Sequence, residues 1–267
     1  MFQENLSLCN SINTLHFVLL YYGRATVNTA WNGTVLDPIF SRLMYIVDGS
    51  AYITVNENQR IDLEAGKWYF IPAGCSFGYA CEGHLDHISF RLKLCDNDGI
   101  DLLRSCRKPC VQSFSEDVTA LLVRNLNSSQ IVDGLWVRHT ICGIVLAMMD
   151  ENQVVIQPQK LSQCVVDAIQ YIQQHLSMHL TVTEITEHIF VSKSTVTKRF
   201  QKELSMSVHD YITDTVLFEA SQLLQNDSLS IRDISERLGF CDQFYFSRRF
   251  REKFGVSPRD YRKQILP

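Results

Sequence analysis

The chain's 267 residues, 46% of them hydrophobic, suffice for one large or two ordinary domains with real cores. The formal charge of −4 excludes a strongly basic protein, and it divides unevenly: 14 Lys and Arg stand against 13 Asp and Glu from residue 160 onward, and 11 against 16 before it. Nine scattered cysteines lack the paired spacing of a zinc or thioredoxin-like site, and the longest early apolar run, Leu15 to Tyr22, is too short for a bilayer and has no signal-peptide flanks, so a soluble cytoplasmic protein is expected.

Residues 16 to about 94 read as short strands separated by turn chemistry. Leu43 to Val47 is an apolar run, Asp48-Gly49 a turn, and Ala51, Ile53 and Val55 alternate with polar residues. Asn56 to Gln59 make another turn, and Trp68 to Ile71 form a strand closed by Pro72-Ala73-Gly74. Such spacing predicts a β-barrel or jelly roll. The run Gly66 to Gly74, GKWYFIPAG, resembles the second conserved motif of the cupin fold. Metal-dependent cupin enzymes need clustered histidines; here Phe77 takes the place of the histidine after the Pro-x-Gly turn, and no histidine lies between His16 and His84. No catalytic residue, metal or cofactor is therefore expected, and His84 and His87 read as surface or pocket side chains.

What the barrel offers instead is a small-molecule pocket, with Trp31, Arg42, Trp68, Tyr79 and His87 as candidate effector contacts; the same aromatics serve equally as core. Arg42, beside the apolar run, either snorkels to solvent or answers an anion. Cys106 and Cys110, at i, i+4 spacing beside Arg104, Arg107 and Lys108, read either as a charge-activated redox pair or as reduced packing thiols.

From Ser115 the period becomes helical. Val118, Leu121, Leu122 and Leu126 mark one helix and Ile131 to Met149 a longer, apolar one. Their apolar faces pack either on their own barrel or on a second copy. The polar stretch from Asp150 to Gln159 reads as a linker.

The C-terminal region opens with a helix from about Leu161 to His175. Val182, Ile185 and Ile189 then form a short face, Phe190-Val191 a turn, and Ser192 a cap for a helix burying Val196, Phe200 and Leu204. Val208 to Gln225 is a connecting helix. Ile231, Ile234 and Leu238 repeat the short face, Gly239 the turn, and Phe246, Phe250 and Phe254 recur every four residues. A small crossing residue, Thr186 or Ser235, and a tight turn suit the steep packing of a helix-turn-helix. The outer face with Gln243, Ser247, Arg248 and Arg251 can bond bases and phosphates, or it is an ordinary solvated face.

The stretch from Gly239 to Arg262, with its Gly-Phe, Asp242, Tyr245-Phe246-Ser247-Arg248, Phe250, Gly255, Ser257-Pro258 and Tyr261-Arg262, closely resembles the signature of the AraC/XylS family of transcription regulators. The resemblance implies a two-domain α+β chain. A cupin-like effector barrel at 1–112 is followed by a dimerising helical pair at 113–150, a linker at 151–159 and an all-α double helix-turn-helix domain at 160–267. It implies a sequence-specific DNA-binding regulator, an activator controlled by a small-molecule effector, with double-stranded DNA, a second copy and RNA polymerase as partners and no membrane. By the same resemblance Lys193, Ser194, Thr197 and Lys198 in the first unit, and Gln243, Phe244, Ser247, Arg248 and Arg251 in the second, face DNA. An effector-independent regulator whose barrel only dimerises, and a cupin enzyme fused to a DNA-binding domain, are the alternatives. Val216 replaces a basic residue usual in the family, Lys198 favours phosphate over bidentate base contact, and Phe244, at a position usually small and polar, is expected to pack rather than to meet a thymine methyl.

Overall fold

The structure, a computed structural model, describes residues 12–35, 38, 40–55, 59–97, 99–106, 108–154, 156, 161–204, 206–254 and 256–265. The chain divides into two compact units, Met1–Gln159 and Lys160–Pro267.

The first unit is an antiparallel sheet of seven strands: β1 (His16–Asn28), β2 (Asn32–Val35), β3 (Ser41–Val55), β4 (Gln59–Glu64), β5 (Trp68–Ile71), β6 (Phe77–Cys95) and β7 (Cys110–Gln112). Hydrogen-bonded neighbours run β1-β6-β3-β5-β7, with β2 added to β6 and β4 to β3. This is an open path, so the β-rich N-terminal unit is present while closure into a barrel is not given by its pairing. Most of the expected turn at Asn56 to Gln59 lies outside the described residues, as do residues 155 and 157–159 of the expected linker.

Asp48-Gly49 is not a turn. The strand β3 continues through it, with register shifts against β6 on either side of Asp48 and Gly49, because long-range pairing to β6 outweighs local turn chemistry. Gly49 carries a φ of 87°, and a side chain there would run into the His84 carbonyl.

Alternation along the strands splits the core into two. Leu43, Trp68, Phe70, Phe90 and Leu92 form one cluster, and Met44, Ile46, Tyr69, Ile71, Phe77 and Leu85 another. Two helices supply the first cluster's remainder: α1 (Glu116–Leu126) and α2 (Ile131–Glu151), the latter through Val137, Ile141, Ile144, Val145 and Met148. Tyr22 ties β1 to the end of α1, its hydroxyl donating to the Leu126 carbonyl at 2.9 Å. By length and composition α2 is apolar enough to cross a membrane; here one face of it packs against the sheet, while Ile131, Val132, Leu135, Trp136 and Leu146 are exposed.

Cys106 follows a 3-10 turn and Cys110 opens β7, so the two do not share a helix face. Burial pushes the Cys106 thiol up to about 11 and raises that of Cys110 as well. Of the two readings, that of reduced packing thiols fits: both are buried, and burial outweighs any lowering by the neighbouring cations.

The second unit contains seven helices among its described residues: α3 (Gln163–Gln174), α4 (Val182–His188), α5 (Lys193–Leu204), α6 (Val208–Leu223), α7 (Ile231–Arg237), α8 (Gln243–Phe254) and α9 (Pro258–Ile265). Ile185, Val196 and Phe200 fill the core of the first half, and Ile234, Phe246, Phe250 and Tyr261 that of the second. Val216, on the helix between them, is fully buried, so a cation at this position would be cut off from water.

Candidate nucleic-acid interface and ligand face

The second unit repeats one design twice. Thr181 caps α4 in a reciprocal capping box with Glu184, and Ser230 caps α7 in the same way with Asp233. Each short helix ends in a left-handed residue, Phe190 at φ 54° and Gly239 at φ 74°. The next amide then reaches back: Val191 N–H donates to the Thr186 carbonyl at 3.2 Å, and Phe240 N–H to the Ser235 carbonyl at 3.0 Å. This double closure is the Schellman geometry, and it turns the chain sharply into the second helix. That helix is capped in turn, Thr195 N–H donating to the Ser192 hydroxyl at 3.3 Å and Tyr245 N–H to the Asp242 carboxylate at 2.7 Å. The carboxyl of Asp242 is held below its ordinary range chiefly by that amide.

The two turns differ in length, spanning 189–192 and 238–242, and in the residue at the left-handed position. At Gly239 a side chain would collide with the Ser177 hydroxyl, so glycine answers both the backbone conformation and a close approach. Phe190 holds the same conformation with a side chain that is 94% exposed. The crossing residues Thr186 and Ser235 are both buried, and Thr186 alone of the two bonds back one turn, donating to the Thr183 carbonyl at 3.0 Å.

On α5, Lys193, Ser194, Thr197 and Lys198 are all exposed, opposite the buried Val196 and Phe200. On α8, Gln243, Phe244, Arg248 and Arg251 are exposed and Ser247 is half-buried, opposite Phe246 and Phe250. The expected faces are thus brought together on both helices. Phe244 is 86% exposed, which overturns the expectation that it packs. Arg248 lies over the Tyr245 ring, its guanidinium 5.4 Å from the centroid, so a signature residue that sequence reading gave no role at the interface orients it.

The basic clusters are smaller than their sequences suggest. Arg199 pairs with Glu203 and Arg249 with Glu252, and Lys253 reaches Asp214 of α6 at 2.6 Å with both side chains mostly buried. That last pair fastens α8 to the connecting helix. Glu203 does the corresponding work for α5, accepting from the Ser162 amide and hydroxyl at the start of α3. With α6 at 16 residues, its length is about 24 Å.

In the first unit the candidate effector residues separate. Trp68 is fully buried in the cluster shared with the helices, its ring near Tyr45, Phe90 and Phe114. Tyr79 on β6 and Trp31 in the turn between β1 and β2 pack against the opposite cluster. Trp31 stands 4.4 Å from Tyr79 and 5.7 Å from His87, between ring centroids. Arg42 lies over Phe77 and Phe40, and its charge, together with the larger effect of burial, lowers the His87 pKa. The His87 Nδ1 is buried with no hydrogen-bond partner among the described residues. Directly across the ladder from Arg42 stands Arg91, which also lies over Phe40. Sequence reading missed Arg91; the like-charge pairing emerges only from the strand register.

Two helix-turn-helix units on one compact domain, each with a polar and cationic outer face, define a DNA-binding protein with two reading heads. A family profile described as a helix-turn-helix domain matches residues 185–264. The Msm operon regulatory protein of Streptococcus mutans is 24% identical over 83% of each chain. The arabinose operon regulatory protein of Salmonella typhimurium is 34% identical over 36% of this chain and 34% of its own. In fold, the chain is similar to unsaturated fatty acid bound ToxT from Vibrio cholerae, with a TM-score of 0.65 at 11% identity over 94% of this chain and 96% of that one. The chain is thus similar to DNA-binding transcription regulators of the AraC/XylS family, most strongly over its helix-turn-helix unit.

The turn at Phe190 yields a direct stability test. A non-glycine residue in the left-handed region costs about 1 kcal/mol, and the exposed ring gives up little packing on removal. Phe190→Gly should therefore raise the unfolding free energy by roughly 1 kcal/mol. Urea unfolding of parent and variant checks it; a destabilised variant would show that the ring contributes packing.

Proposed function

We propose that one chain engages its operator with both heads at once, α5 and α8 entering successive major grooves. Support comes from the matched caps and turns, which present the two outer faces in the same way, joined by a buried connecting helix. Arg248 is the base-reading cation, suited to a guanine and steadied by Tyr245. Lys198 and Lys193 serve mainly phosphates, while Ser194, Thr197, Gln243, Ser247 and Arg251 complete the two faces.

The first unit is, on this reading, a cupin-like sensor that takes a small anionic effector on the face holding Trp31, Tyr79, His87 and Arg42. Arg42 and Arg91, directly opposite each other across the ladder, place two guanidinium groups on this face, and either can bond an anionic headgroup. The aromatic rings beside them suit an apolar body. Fatty acid bound to ToxT is the precedent in this fold. Trp68 drops out of the site, being core on the other face. The exposed apolar stripe of α2 is the surface for a second copy, and residues 113–150 form the dimerising pair. The resulting protein is a cytoplasmic activator that acts on RNA polymerase; it performs no catalysis.

Two measurements test this reading. On a site selected from random DNA, Arg248→Ala should weaken binding by about 1–3 kcal/mol and relax one base position, whereas Lys198→Ala should weaken all sequences alike and lower the salt slope by about 1. Indifference of the selected site to Arg248→Ala contradicts the assignment. In a thermal-shift titration with oleate and with a naphthyl carboxylate, at least one should stabilise the parent, and Arg42→Ala should abolish that shift while leaving the ligand-free melting temperature within a few degrees. A ligand shift that survives the substitution removes Arg42 from the site.

A further inference from the structure

We propose that Phe244 reads the 5-methyl group of a thymine about two base-pair steps from the guanine read by Arg248, and that this contact belongs to the second head alone. The inference rests on the reading that α8 lies in the major groove. It starts from an anomaly: a phenylalanine 86% exposed at the second position of a well-capped helix. Its neighbours on that face, Gln243 and Arg248, are a hydrogen-bonding amide and a cation, both exposed. A lone ring among such groups does not make an apolar patch of the kind that docks another protein. The surface that pairs isolated methyl groups with base-edge acceptors and phosphates is the major groove, where thymine alone among the four bases carries a methyl.

Register places the two contacts together. Phe244 and Arg248 are four residues apart and so lie one above the other on the same face, displaced by about 6 Å along the axis. This is about two base-pair steps at roughly 3.4 Å each. The ring and the guanidinium therefore address base pairs about two steps apart.

The first head has no counterpart. Aligning the caps Ser192 and Asp242, and the buried pairs Val196 with Phe246 and Phe200 with Phe250, sets Ser194 opposite Phe244. A serine hydroxyl bonds several base edges and gains little from a methyl. The operator is thus asymmetric in chemistry: one half-site contains a thymine whose methyl is needed, and the other does not.

The test replaces each thymine of a selected site by deoxyuridine, one at a time, and measures binding of the full chain by fluorescence anisotropy. Deoxyuridine keeps the base-pairing edge and removes only the methyl. The parent should lose about fourfold in affinity at one position near the Arg248 guanine, the worth of one buried methyl. Phe244→Ser, which copies the first head, should bind less tightly and be insensitive to deoxyuridine there, and Phe244→Leu should keep the sensitivity. Tolerance of deoxyuridine at every position by the parent, with Arg248→Ala still damaging, overturns the thymine assignment and leaves the groove reading standing. If Arg248→Ala is harmless as well, the groove reading fails and this inference with it.

Discussion

The reading heads depend on a turn of one residue. In each unit a short helix must stop, reverse hand for a single residue and release a second helix at a steep angle. The amide after that residue then closes onto the carbonyl of the buried crossing residue, Thr186 or Ser235. The caps at Thr181, Ser192, Ser230 and Asp242 fix where each helix begins, and the turn fixes where it points. The two heads reach this geometry at different cost. Gly239 adopts it freely, whereas Phe190 adopts it against the preference of its own backbone.

Much of the second unit is legible from sequence because its signals are local. Four-residue spacing of Phe246, Phe250 and Phe254, the cap residues and the turn glycine all lie within a few positions of the structure they determine. The first unit is legible only in outline. Asp48-Gly49 has strong turn chemistry, yet β3 runs through it because β6 supplies partners on either side. Which face a strand residue takes depends on register, so Trp68 looked equivalent to Trp31 in sequence and lies in the other core. The Arg42–Arg91 pairing joins residues 49 positions apart and has no local trace. Phe244 failed for a different reason: an apolar side chain beside an apolar face is expected to fold inward, and its helical position turns it out. Its exposure is what gives it meaning.

Charge accounts for why two heads are needed. Lys253 is spent on an ion pair that fastens α8 to α6, Arg199 and Arg249 on pairs within their own helices, and the unit as a whole is close to neutral. Sequence-independent attraction to phosphates is correspondingly modest, so affinity has to come from geometry and base contacts. On the proposed two-headed binding, α6 converts two weak contacts into one intramolecular event, because once one head is seated the other is held at a high effective concentration over its own groove. Val216 is consistent with that role: it gives up a charge to pack the connecting helix into the core.

The claim that both heads read one operator from a single chain is tested most directly by changing the spacing of the operator's two half-sites. Inserting about five base pairs between them rotates one half-site by roughly half a turn. The account predicts that affinity then falls to that of a site with one half-site scrambled, since α6 cannot follow the rotation. Unchanged affinity for the spaced site would contradict it.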